Sequence, residues 1–209
     1  MRGRAAAAGV VAAALLVAGC AGGEQAPQSA SVQQPAQRPP GQQPGQEPGK
    51  QAQQQPAGSE KPAPRSLSIP SIGVSSGLER LGQKKDGTME TPQDPAKAGW
   101  YVPGPTPGDE GPAVIAGHVT WNGAPSVFHR LTSLKAGDAI KVEREDGKTA
   151  TFEVERVAQY PKNRFPTVEV YKNIDHAGLR LITCGGQYDE SQRYYSDNVV
   201  VFARLSGTA

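Results

Sequence analysis

Sulfur is scarce in this chain: 209 residues hold two cysteines. A disulfide framework needs paired cysteines in the folded part, and a structural zinc site needs thiols and histidines at close spacing. The three histidines are far apart and none sits near a thiol at zinc spacing, so the expectation is no metal and no cofactor. Charge of one sign is lacking too. Lys and Arg number 22 against 20 Asp and Glu, a net +2, and they are scattered among acids from Arg65 onward. Nucleic-acid binding needs a clustered basic face, and no acidic cluster marks a calcium site. Long apolar runs are also few. The longest, Ala5–Ala18, falls short of the ~20 residues of a comfortable membrane span.

That run reads instead as an export signal over residues 1–20. Arg2 and Arg4 form its positive start, and Val17-Ala18-Gly19-Cys20 is a lipobox-like site of small residues. The expectation is a lipoprotein leader cut before Cys20, which then carries a lipid anchor on the outer face of the cytoplasmic membrane; an uncleaved signal-anchor is the alternative. Residues 21–65 are rich in Gln and Pro, without aromatic residues and with almost no branched aliphatic ones. Such a segment cannot bury enough apolar surface to offset its ordering entropy. It reads as a disordered tether with an r.m.s. reach of roughly 35–40 Å.

Residues 66–209 are long enough for one domain with its own core. Ser66-Leu67-Ser68-Ile69-Pro70 alternates like a strand ended by proline, and Ala113–Ala116 is a short buried-strand run. Ala124–Leu131 is expected to hold a short helix with Val127, Phe128 and Leu131 on one face. Ala139–Glu143 and Ala150–Glu155 flank an Asp146-Gly147 turn, a short-hairpin signal. The phase of the return strand breaks at Arg156-Val157, which suggests a bulge. Leu179–Cys184 and Asn198–Arg204 complete the set, and Val199–Phe202 reads as covered on both sides. The expected class is mainly β, a closed or nearly closed barrel with one or two short helices.

With Cys20 lipidated, Cys184 is an unpaired thiol in an exported domain, which suggests an intermolecular bridge or a reactive group. Its position in Leu181-Ile182-Thr183-Cys184, just before Gly185-Gly186, favours reactivity. A thiol nucleophile needs a histidine and a donor for the developing oxyanion. Of the three histidines, His118 ends an apolar strand, where a barrel would present it at a rim. His129 lies in the expected helix beside Arg130, and His176 in a polar loop.

These stretches together resemble the sortase family over about Ser66 to Leu205, and class F sortases of actinobacteria most. The resemblance rests on Ile69–Val74, Ala113–Val119, Val127–Leu131, Leu134–Asp138, Phe165–Thr167, Leu179–Gly186 and Asp197–Val201. It implies an eight-stranded β-barrel and a Cys–His–Arg site, with Cys184 matching the nucleophile and His118 the histidine. The family's arginine is expected in the loop after Cys-Gly-Gly or just before Asp-Asn. Ser196 holds the second place, so Arg193 takes the role. Thr120 stands where an acidic residue often follows the His-Val pair.

The implied chemistry is acyl transfer by a cysteine transpeptidase. Cys184 attacks a carbonyl in a C-terminal sorting signal, Arg193 stabilises the oxyanion, and His118 moves the protons. A cell-wall precursor amine resolves the thioester, anchoring a surface protein. Thr183, Trp100, Tyr101 and Tyr188 are the candidate substrate contacts, and a monomer is expected. Two rivals remain: an exported cysteine peptidase with water as acceptor, and a catalytically silent lipoprotein that binds cell-wall peptides. The Ser-x-Gly-Cys type of signature of the L,D-transpeptidases is absent from the sequence.

Overall fold

A computed structural model describes residues 62–209. The leader, Cys20 and the tether as far as residue 61 lie outside the described residues. Ten strands follow: β1 (Pro64–Ile69), β2 (Val74–Leu81), β3 (Ala98–Tyr101), β4 (Gly111–Ala116), β5 (Thr120–Trp121), β6 (Ala124–Pro125), β7 (Ala139–Arg144), β8 (Thr149–Pro161), β9 (Ala177–Asp189) and β10 (Tyr194–Thr208). One short α-helix, α1 (Thr167–Tyr171), joins β8 to β9.

Eight strands close a barrel in the order β1-β2-β3-β4-β9-β10-β8-β7, and β5 and β6 form a small separate hairpin. The expected mainly-β barrel is therefore the observed fold. Pairing is antiparallel except for β2 with β3 and β4 with β9, which run parallel.

The period-2 pattern of each strand decides what it buries. Leu67, Ile69, Ile140, Val142, Phe152, Leu179, Leu181 and Val201 pack in the inner core. Burying each such side chain contributes about 1.5–3 kcal/mol. The alternate residues Val114, Ile182, Val200 and Phe202 form a second cluster with Val170 of α1, and Phe165 packs against it. That outer layer explains the unbroken apolar run at Val199–Phe202, whose residues are 3% exposed or less. The β7–β8 hairpin turns at Asp146-Gly147 as expected, with Gly147 at φ +79. In the β8–β10 ladder Phe202 faces Arg156 and Ala203 faces Val154, so the extra residue is Glu155, one place before the expected bulge.

The helix expected over Ala124–Leu131 is not formed. Ala124 and Pro125 belong to β6, and a single 3-10 turn follows at Leu131–Ser133. Proline biases the residue before it towards extended backbone, which suits Ala124 to a strand. Phe128 and Leu131 are still fully buried; turns rather than a helix deliver them to the core.

Candidate active site

The parallel pairing of β4 with β9 positions the two central residues. Gly111 faces Ala177 and Ala116 faces Ile182, and beyond the strand the Gly117 N–H still donates to the Ile182 carbonyl at 3.0 Å. Carried two residues past Ala116, the same offset sets His118 level with Cys184. Both follow the outward-facing alternation of Val114 and Ile182, so their side chains emerge on one face of the barrel. Asn198 of β10 pairs with Cys184 on its other side.

Local packing fixes the histidine. A Cβ on Gly117 would lie 2.7 Å from the Phe128 ring and 2.8 Å from Val127, so only glycine lets this buried ring press against the backbone before His118. The Phe128 N–H then donates to the His118 carbonyl at 2.9 Å. Nε2 of His118 is 2.9 Å from the Pro92 carbonyl. A carbonyl only accepts, so Nε2 carries the hydrogen and Nδ1 is the nitrogen left to exchange a proton. The imidazole packs against Trp121 at a tilt of 59°, with ring centroids 4.9 Å apart.

On the cysteine side, β9 and β10 form a long hairpin whose turn holds Arg193. Asp189 accepts from the Ser191 hydroxyl and from the backbone N–H groups of Ser191 and Gln192. Those bonds, the Ser191 hydroxyl foremost, hold its carboxyl below the usual range and order the turn. Arg193 closes it at φ +50, a left-handed conformation costly for a side chain with a Cβ. Between Cys184 and the turn, Gly186 bulges at φ +77. A Cβ there would lie 2.3 Å from the Ser196 hydroxyl oxygen. That oxygen accepts from the Gln187 N–H at 3.0 Å, so Ser196 serves the bulge.

His118, Cys184 and Arg193 all line one cavity of about 580 Å³, with Thr120, Trp121, Tyr188 and Tyr195 among its other walls. Tyr188 and Tyr195 pack ring to ring at 4.7 Å. The cavity lining contains no carboxylate, so nothing in it competes for the guanidinium. The arrangement supplies a half-buried thiol, a proton-exchanging imidazole and a cation around one space. Those are the groups needed for nucleophilic attack on a carbonyl. Among the described residues, no group of three or more His, Cys, Asp or Glu side chains gathers around a point where a metal could sit.

Three expected substrate contacts lie elsewhere. The pleat of β3 sends Trp100 into the inner core, 6% exposed, where its indole N–H donates to the Pro105 carbonyl. Tyr101 points the other way and packs edge-on against Tyr171 beside the outer cluster. Thr183 alternates with Cys184 and is buried on the barrel side of β9, its hydroxyl without a hydrogen-bond partner among the described residues. His129 lines a neighbouring groove, and His176 bonds Asp175. Sequence reasoning missed Trp121 and Tyr195. Their signals were modest: an aromatic residue shortly after His118, and a tyrosine cross-strand to Tyr188.

A family model described as the sortase domain matches residues 67–206. Among solved structures the chain is similar to sortase C1 from Streptococcus agalactiae, at 17% identity and a TM-score of 0.54, covering 68% of this chain and 67% of that one. It is similar to a lid mutant of sortase A from Corynebacterium diphtheriae, at 22% identity and a TM-score of 0.54, covering 73% and 74%. It is also similar to sortase C-1 from Actinomyces oris, at 24% identity and a TM-score of 0.53, covering 68% and 73%. These structural likenesses speak to the fold. No curated protein matches the chain in sequence.

Proposed function

This chain belongs to the sortase family, and we propose that it acts as a cysteine transpeptidase through a thioester on Cys184. The observation that supports this is that His118, just past the end of β4, Cys184 of β9 and Arg193 all line one cavity. The Cys184 sulfur attacks a backbone carbonyl within a C-terminal sorting signal. Arg193 and neighbouring backbone N–H groups stabilise the oxyanion. Nδ1 of His118 delivers a proton to the leaving amine and takes one from the incoming amine.

We assign the chain to class F on the motifs running from Ile69 to Val201. The lipobox at Cys20 supports a lipid anchor on the outer face of the cytoplasmic membrane, with the Pro- and Gln-rich segment as tether. No helix among the described residues is long and apolar enough to cross a membrane. The biological role that follows is covalent attachment of surface proteins to a cell-wall precursor amine.

Acceptor competition tests the reading. With a sorting-signal peptide as donor, added amine should divert product from the free acid to the amide. Free acid alone at every amine concentration would instead establish a hydrolase.

A further inference from the structure

A second groove, of about 530 Å³, lies beside the Cys184 cavity. Trp121 lines both, and its ring packs at a tilt against His118, centroids 4.9 Å apart. The far wall is firm: the Ser126 hydroxyl and the Val127 N–H both donate to the Pro95 carbonyl. Only two of its lining side chains can carry charge, Arg130 and His129, and there is no carboxylate. Arg130 is exposed and makes no ion pair among the described residues. A permanent cation without a partner, at the rim of a groove free of acids, suits an anionic ligand.

Resting on the amide-forming reading above, we propose that this groove receives the amine acceptor, and that the acceptor is an amino acid or short peptide whose carboxylate pairs with Arg130. Its amine then arrives over Trp121, beside the imidazole that must take its proton. The nitrogen lone pair forms a C–N bond to the thioester carbonyl, and the proton lost by nitrogen goes to Nδ1 of His118. The C–S bond breaks, and sulfur leaves with its electron pair as the Cys184 thiolate. Arg130 is a positioning residue in this scheme, because it holds the far end of the acceptor.

Glycylglycine and its C-terminal amide, glycylglycinamide, carry the same amine and differ in the carboxylate. Titrated into the full chain and followed by NMR, both should shift the Trp121 indole and the backbone signals of Ser126–Arg130. The free acid should bind more tightly than the amide by about 1.5- to fivefold, the range of one exposed ion pair. Arg130→Gln should remove that preference, and Arg130→Lys should keep part of it. Equal affinity for acid and amide in the unaltered chain, or shifts confined to other surfaces, would overturn the assignment. Acylation of Cys184 by a sorting-signal peptide is scored separately by intact mass. A chain that acylates but shows no carboxylate preference overturns the groove assignment alone; a chain that never acylates overturns the amide-transfer reading beneath it.

Discussion

The hydroxyls of Thr120 and Tyr195 meet at 2.8 Å, and that bond ties the hairpin after His118 to the hairpin that carries Cys184. Both residues also line the cavity. Thr120 stands where the family resemblance would place an acid, and here it serves as a tie across the cavity rim.

Tyr195→Phe should therefore cost stability of about 1 kcal/mol, the typical net value of one hydrogen bond, and lower the acyl-transfer rate. Thr120→Val should do the same. If the bond is what matters, the double variant should be little worse than either single one in thermal unfolding. Fully additive losses would show that the two residues act separately.

Arg193 pits its conformation against its chemistry. At φ +50, Arg193→Gly should relieve about 1 kcal/mol of backbone strain and raise the melting temperature. The same change removes the oxyanion cation, and the loss of one such donor lowers kcat by about 10²–10³. A more stable but slow variant supports the assignment; a more stable and fully active one removes Arg193 from it.

Gly186 and Gly147 have nearly the same φ, +77 and +79, in different surroundings. A Cβ on Gly147 meets nothing within 4 Å, whereas on Gly186 it would sit 2.3 Å from Ser196 and 2.7 Å from Asp197. Gly147→Ala should cost about 1 kcal/mol. Gly186→Ala should cost clearly more and disturb activity, because the bulge sets the course of the hairpin beyond Cys184. Equal losses in denaturant titrations would contradict this.

Asp197 supplies a pH signature. Gln159 Nε2 donates to its carboxylate at 2.6 Å, and this bond, with a second from Ser196, holds the carboxyl below the usual range. A carboxyl depressed in the folded state adds stability that is complete above the ordinary aspartate value of about 3.9. That stability is lost as the pH falls through the folded value. Asp197→Asn removes that contribution, so the variant should be less stable than the parent at neutral pH, should show a flatter acid limb, and should converge with the parent at low pH. An unchanged acid limb would mean that other carboxyls set it.

Much of the barrel was legible because strand alternation reports one buried face, and because Val199–Phe202 shows two. The Ala124–Leu131 segment misled because its apolar spacing suits a helix, while Pro125 favours extended backbone and Phe128 reaches the core from a turn. His118 and Cys184 were legible as chemistry from their sequence motifs. Their alignment was not, since it depends on the parallel register of strands more than sixty residues apart. The expectation of Trp100 and Tyr101 at the substrate has no support in composition, which does not report which face of a strand an aromatic residue takes. The pleat of β3 sends one inward and the other to the outer layer.

The central claim is the thioester on Cys184. Intact-protein mass spectrometry of the full chain, mixed with a panel of sorting-signal peptides and quenched in acid, should show an adduct equal to the acyl fragment. Peptide mapping should place that adduct on Cys184. The adduct should be absent from Cys184→Ala, whose circular dichroism should match the parent, because the change removes one half-buried sulfur. An adduct on another residue, or turnover retained by Cys184→Ala, would contradict the account.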